Sequence, residues 1–362
     1  MLADSPYPEL KKTHTMARTG RPYTDYKPPV AAPVWDVIDG FGRFHTLCAA
    51  LELRVLEDIQ TNGPSTGDEV AERLGLSAPH TTTLLEGVVA CGFLERVLGV
   101  FRLNDTARRY LLVDGPASMV DLVPVSPGPL DNWRHLAETV RTGVPPAPVE
   151  DDPDDFYVPL VEATFTTISR CAMRADLQLR YSALTAPRVL DLGAGGAPWT
   201  AAILSAVPDA TAVVNDLPGV IDVARTKLAE RDVDDRVEFR TGDFLAIDVE
   251  PGTFDVVVLG HVCRAAGDDD TQALIDRAAT ALKPGGRILI GDYFCDRSRS
   301  LAAHSLMMGV TMMASTRVGR TFTADEVGDW LTAAGFEAVR IIEPIGFQQV
   351  IVGTRTHEEV AP

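Results

Sequence analysis

Positive charge is scarce in this sequence. Its 362 residues carry 33 Lys and Arg against 51 Asp and Glu, a formal net charge of −18. A chain this acidic is repelled by phosphate backbones unless a local basic patch offsets the field, and no run of Lys or Arg provides one. Nucleic acid is not an expected partner. Paired cysteines are missing too. Cys48, Cys91, Cys171, Cys263 and Cys295 are scattered and never in CxxC spacing, which argues against a disulfide framework or zinc site. No metal is expected. Nor does any apolar run approach a membrane span, and the N-terminus lacks the apolar centre of a signal peptide. These absences point to a soluble cytoplasmic protein. What is present is ordinary globular composition, 46% hydrophobic and 23% charged, at a length that suggests two domains.

Residues 1–33 are polar and rich in proline (Pro6, Pro8, Pro22, Pro28, Pro29, Pro33) and read as a flexible tail, within which Met16 is an alternative start to Met1. Val34, Ile38, Phe41, His45, Cys48, Leu51, Val55 and Ile59 then recur at helical spacing, which predicts one long amphipathic helix. Between Ser65 and Leu112 the pattern is helix, turn, helix and a hairpin about Gly99, with strands Leu94–Val97 and Val100–Leu103. That is a winged-helix order. Its second helix would expose Ser77, His80, Thr81, Thr82 and Glu86, without the Arg or Lys that reads base edges and phosphates. Packing or dimerisation is the better reading of residues 34–112.

Residues 113–185 hold a Pro-rich connection, an acidic stretch (Glu150, Asp151, Asp152, Asp154, Asp155) read as solvated loop, and a helix around Val158–Tyr181. From residue 186 to 356 apolar strands alternate with helices. Strands are expected at Arg188–Leu192, Thr211–Asn215, Val237–Arg240, Val256–Leu259, Arg287–Ile290, Val339–Ile342 and Gln349–Gly353. Such alternation implies an α/β domain with a parallel sheet covered on both faces.

The chemistry concentrates at the ends of these strands. Asp191-Leu192-Gly193-Ala194-Gly195-Gly196-Ala197 carries a strand into a small-residue turn and a helix, where glycine lets a ligand approach the backbone. Dinucleotide enzymes share such a turn, so alone it is weak. Asp216 follows 25 positions after Asp191, at the end of the next strand, where a carboxylate can accept both hydroxyls of a ribose. After the third strand, Asp243 of Gly242-Asp243-Phe244 can accept an adenine amino group while Phe244 stacks beside the ring. Leu282-Lys283-Pro284-Gly285-Gly286 is read as ending a helix on glycine before the next strand.

Taken in this order, with Asp216-Leu217-Pro218 and the late Gly335-Phe336, these segments resemble the plant-type small-molecule O-methyltransferases, a class I S-adenosylmethionine-dependent family. Its bacterial relatives modify polyketides, peptides and other secondary metabolites. The resemblance spans roughly residues 34–355. It implies a Rossmann-like methyltransferase domain behind a helical, winged N-terminal domain that interlocks two subunits as a homodimer. It implies S-adenosylmethionine as cofactor, with Gly193 and Gly195 in the turn at its methionine end, Asp216 and Leu217 at the ribose, and Asp243 and Phe244 at the adenine. Gly260 falls where the family often places a cofactor-contacting side chain, so only its backbone serves. Ala197 replaces the last glycine of the turn.

The larger departure is catalytic. The family's general base is a His followed by Asp after the fourth strand. Here His261-Val262-Cys263-Arg264-Ala265 puts Arg264 and Ala265 in those places. Arginine stays protonated, its pKa being above about 12, but it binds carboxylates and enolates bidentately. Arg264 therefore either meets an anionic acceptor or turns outward to Asp268 or Asp269. His261, otherwise a half-buried residue beneath the cofactor, and His304 are the substitute bases. His304 lies in Leu301–Met313, whose Met307, Met308, Met312 and Met313 suit either a deformable pocket wall or plain core. Because a sulfonium is a strong electrophile, in-line positioning can suffice for an already ionised acceptor oxygen, nitrogen or carbon. Two other readings compete: a relative that keeps the cofactor but catalyses cyclisation, hydroxylation or decarboxylation, and a metabolite-sensing winged-helix regulator. Stoichiometric S-adenosylhomocysteine separates methyl transfer to a small-molecule acceptor from both.

Overall fold

The run of apolar residues from Val34 to Ile59 does not stay one helix. In the computed structural model, which describes residues 31–296, 303–345 and 348–356, it divides into α1 (Ala32–Glu52) and α2 (Val55–Asn62). The break falls at Arg54, which takes a left-handed φ of 56°. It turns Val55, Leu56 and Ile59 into a cluster with Leu85, Val88 and Phe101. Among the described residues, nothing covers the apolar side chains of the first half of α1. Trp35, Val37 and Phe41 are 59%, 79% and 70% exposed. The tail expected over residues 1–33 lies, except for its last three residues, outside the described residues.

Helix α3 (Gly67–Leu74) starts at a capping box in which Thr66 and Glu69 satisfy each other's backbone N–H groups. It leads to α4 (Ala78–Ala90) and the hairpin β1 (Leu94–Val97) and β2 (Val100–Leu103). Leu98 and Gly99 both have positive φ, the twist that a two-residue hairpin needs. The expected outer face of α4 needs one correction. Thr81 is buried, and Thr82 sits against Gly67, so neither is free to meet a ligand.

Short helices α5 (Asp105–Tyr110), α6 (Leu122–Val125), α7 (Leu130–Trp133) and α8 (Leu136–Thr142) lead to α9 (Pro153–Leu179). The acidic stretch is exposed, as expected, but it is not loop throughout. Asp152 caps α9, which starts five residues earlier than the apolar pattern indicated, and Glu150 lines a cavity.

A seven-stranded sheet follows in the order β5-β4-β3-β6-β7-β9-β8. It is built from β3 (Arg188–Leu192), β4 (Thr211–Asp216), β5 (Val237–Thr241), β6 (Phe254–Gly260), β7 (Leu282–Asp292), β8 (Phe336–Ile345) and β9 (Gln348–Arg355). The helices are α10 (Pro198–Ala206), α11 (Pro218–Ala229), α12 (Cys263–Ala281), α13 (Ala303–Ser315) and α14 (Ala324–Ala333). Helices α9, α10 and α11 cover one face of the sheet, and α12 and α14 the other. The α/β expectation is borne out, with two local corrections. β9 runs antiparallel to both β7 and β8, because β8 and β9 are joined directly, without a crossover helix. Helix α12 ends at Ala281 without a glycine, and Gly285 instead supplies a positive φ inside the β7 segment.

The strand order reverses between β3 and β6, so the crevice at their C-terminal ends is where ligands bind in an open α/β sheet.

Candidate active site

That crevice holds a cavity of about 510 Å³. Its floor is the turn between β3 and α10. Gly193 and Gly195 have φ of 62° and 59°, and Ala197 shares the conformation at 58°. A Cβ at Gly193 would stand 2.6 Å from Val262, so the turn must be bare there. Ala197 holds a conformation that suits glycine, at a cost on the order of 1–2 kcal/mol.

Asp216, at the end of β4, closes this turn. Its Oδ2 accepts the Gly195 N–H at 2.7 Å and its Oδ1 the Leu217 N–H at 2.7 Å. Burial raises its carboxyl pKa against the lowering by these two bonds. Asp243 and Phe244 lie farther along the same wall, where Asp243 Oδ1 accepts the Leu245 N–H at 2.8 Å. Gly260 also lines the cavity, and its bareness has a reason the sequence hides. A Cβ there would be 2.7 Å from the indole of Trp199, and one at Gly291 would be 2.9 Å away. Both strands yield to a buried tryptophan.

The first turn of α12 carries Arg264 into the wall, and α12 breaks at Gly267, whose φ is 79°. Neither expected partner of Arg264 is the real one. Asp268 pairs with Arg320, at 2.6 and 2.9 Å. Arg264 Nη1 donates to Asp292 Oδ1 at 2.9 Å and to the His261 carbonyl at 2.9 Å. Burial opposes its charge, but Asp292 more than offsets this and raises its pKa. Burial alone would raise the Asp292 carboxyl, yet the Arg264 guanidinium and neighbouring hydrogen bonds hold it well below the usual carboxylate range. The Tyr293 ring lies against the guanidinium at 5.4 Å. Nη1 is thus fully engaged and Nε is buried, whereas Nη2 makes no hydrogen bond among the described residues, and Arg264 lines the cavity.

His261 is strained, with φ of 65°, and its N–H donates to the Gly291 carbonyl at 2.7 Å. Its Nδ1 lies 3.8 Å from Asp292, but both ring nitrogens are buried and make no hydrogen bond. Burial lowers its pKa, as does Arg264, against the pull of Asp292. His304 does not line the cavity. It sits on α13 with its ring edge-on to Tyr293 at 5.0 Å. None of Met307, Met308, Met312 or Met313 lines the cavity either, and Met312 is buried core. Leu301, in the segment that was to build the acceptor pocket, lies outside the described residues.

The structure thus brings Gly193, Gly195, Asp216, Leu217, Asp243, Phe244, Gly260, His261 and Arg264 to one cavity and leaves His304 outside it. Sequence reasoning passed over Glu150, Tyr157, Trp199, Asp292 and Tyr293. For Asp292 a signal existed, since a carboxylate ending a core strand at the switch point stands where ligand-site residues stand.

Comparison with known proteins agrees with this geometry. Residues 159–337 match the model of an O-methyltransferase domain, and residues 35–112 that of an O-methyltransferase dimerisation domain. The chain is 28% identical over 320 residues to 3-hydroxy-5-methyl-1-naphthoate 3-O-methyltransferase of Streptomyces sahachiroi, covering 85% of this chain and 90% of the relative. It is 29% identical over 305 residues to the tetracenomycin polyketide synthesis 8-O-methyl transferase of Streptomyces glaucescens, covering 79% and 86%. The human N-acetylserotonin methyltransferase structure, in complex with its S-adenosylmethionine, superposes with a TM-score of 0.78 at 23% identity, covering 92% and 99%. By these matches and by the fold that carries them, the chain belongs to the O-methyltransferase family and is a methyltransferase with its own dimerisation domain.

Proposed function

We propose that the chain transfers the methyl group of S-adenosylmethionine to a hydroxyl oxygen of a small aromatic secondary metabolite, held beside Arg264 and without a histidine base. The observation that carries this is Arg264, fixed by Asp292 in the wall of a cavity whose other wall fits an adenosine. Bound there, S-adenosylmethionine supplies an activated, positively charged methyl donor. Bare backbone at Gly193 and Gly195 admits it closely, and Asp216 retains lone pairs for ribose hydroxyls. Asp243 and Phe244 suit the adenine, and Gly260 offers only backbone because Trp199 occupies the space behind it.

Arg264 orients the acceptor. Because Asp292 already balances its charge, an anionic acceptor is not needed to offset burial. Nη2 is a fixed donor for an oxygen on the acceptor ring, and a hydrogen bond there aligns the neighbouring hydroxyl and makes it more acidic. The relatives are named methyltransferases, which favours this reading over a non-methylating enzyme or a regulator. We read residues 113–185 as helical connection contributing to the acceptor pocket and 186–356 as the cofactor-binding domain. The acidic surface and the absence of Arg and Lys from α4 support dimerisation into a homodimer, in a winged arrangement, over DNA binding. No helix among the described residues is long and apolar enough to cross a membrane. The five unpaired cysteines are consistent with the cytoplasm.

The test separates cofactor from acceptor. Asp216→Ala should weaken S-adenosylmethionine binding by about 1.5–3 kcal/mol, read by calorimetry. Arg264→Ala should cripple turnover of 3-hydroxy-5-methyl-1-naphthoate and leave cofactor affinity nearly intact, with Arg264→Lys intermediate because it lacks the planar fork. Unchanged affinity in the first variant, or full turnover in the second, removes the assignment.

A further inference from the structure

A hydroxyl acceptor must lose its proton, and the two histidines are poorly placed to take it. His304 lies outside the cavity and both ring nitrogens of His261 are sealed from it. Burial pushes the Tyr157 hydroxyl up to about 12. Asp216 and Asp243 belong to the cofactor half, and Asp270 lies on α12 beyond its break at Gly267. Glu150, in the turn that precedes α9, is the remaining carboxylate that lines the cavity.

Glu150 lies in a single helical turn, Val149–Asp151, just before α9, and is one of the residues that line the cavity. The loop at residues 316–320 is bonded to both Glu150 and Arg264. In that loop the Arg317 N–H donates to Glu150 Oε1 at 2.9 Å, while the Arg320 N–H donates to the Arg264 carbonyl at 2.9 Å. Tyr157 lies within the electrostatic reach of both Glu150 and Arg264. Among the described residues Glu150 Oε2 makes no hydrogen bond; it stands 3.8 Å from Arg317 Nη1, and Arg317 Nη2 is engaged by Asp151. The Glu150 side chain is 34% exposed, which gives a captured proton a route to water.

We propose that Glu150 is the proton acceptor of the methyl-transfer reaction, working across the cavity from Arg264. This rests on the methyl-transfer reading above. The acceptor's hydroxyl proton passes to Glu150 Oε2 as the oxygen lone pair forms the bond to the methyl carbon. The carbon–sulfur electron pair stays on sulfur, leaving a neutral thioether, and the proton then leaves to solvent. The titratable and charged groups around Glu150 are Asp151 in its own turn, Arg317 in the loop, Tyr157 on α9 and Arg264 beyond it.

The experiment uses the full chain with three probes: 1-naphthol, 3-hydroxy-2-naphthoate and 3-hydroxy-5-methyl-1-naphthoate, from pH 6 to 10. Glu150→Gln should lower kcat at pH 7 by about 100-fold or more, with KM and S-adenosylhomocysteine affinity unchanged. It should also recover about tenfold per pH unit as the free naphtholate takes over. Arg317→Gln keeps the carboxylate and should lose less than tenfold, which separates a base from a mere latch partner. The proposal is overturned by Glu150→Gln within threefold of wild type, by no recovery of its rate at high pH, or by an equal loss in Arg317→Gln. Wild type inactive on all three probes marks failure of the methyl-transfer reading on this acceptor class, and the proposal falls with it.

Discussion

Asp292 should be the most costly carboxylate to neutralise in this protein. It ends β7 with a side chain only 3% exposed and accepts three bonds: Arg264 Nη1 at 2.9 Å, the Tyr293 N–H at 2.9 Å and the Arg264 N–H at 3.3 Å. Arg264 is itself 15% exposed, so removing its partner strands a cation away from water. Breaking one side of such a pair costs about 3–5 kcal/mol, whereas replacing both sides with neutral groups is often close to neutral. Asp292→Asn keeps the volume and an oxygen for the Tyr293 N–H, and so isolates the charge. Urea unfolding at pH 7 should show a loss within that range, and adding Arg264→Met should recover most of it. The pH dependence has a definite sign. The folded carboxyl lies below its unfolded value near 3.9, so the stabilisation is complete above that value and is lost as pH falls through the folded pKa. The gap between wild type and Asp292→Asn should be flat from pH 5 to 8 and close below pH 4. A loss under about 1 kcal/mol, or no recovery in the double variant, would refute the stranded-charge argument.

Other consequences follow from single contacts. Asp191 is fully buried with only Thr200 donating to it, and burial raises its carboxyl pKa to about 7. The folded state therefore binds a proton the unfolded state has released, and its stability falls between pH 5 and 7. The stability of Asp191→Asn relative to wild type should improve by about 2–3 kcal/mol from pH 5 to pH 8 in urea titrations of the ligand-free protein, and a pH-independent difference contradicts this. Gly260→Ala should push its methyl against Trp199, costing about 1–3 kcal/mol and shifting tryptophan emission; thermal melts matching wild type would show that the ring has room to move. Phe41→Asp on the exposed face of α1 should shift the proposed homodimer to monomer in light scattering, and an unchanged mass would contradict a subunit contact there.

Local chemistry made much of this protein legible. The glycine turn, the carboxylate after β4, the Asp-Phe pair after β5 and the alternation of apolar strands with helices are short-range patterns. Each reflects what a few neighbouring residues can do with φ, burial and hydrogen bonds. The hairpin at Leu98 and Gly99 and the capping box at Thr66 belong with them. Tertiary structure alone decided the rest. The antiparallel β9 depends on which strand edge is free, and the bare Gly260 on an indole 61 positions away in the chain. Thr81 is inside because α4 rotates to bury Leu85 and Val88, a choice made by the packing of the small domain as a whole. Arg264 shows the division most clearly. Its residue type at that position excludes a base, but its charge state, partner and direction come from Asp292, 28 residues later on the neighbouring strand. A charge in water has many partners within a few tenths of a kcal/mol of each other. Once it is buried, the one carboxylate that the fold places within 3 Å is worth more than every nearer carboxylate in the sequence.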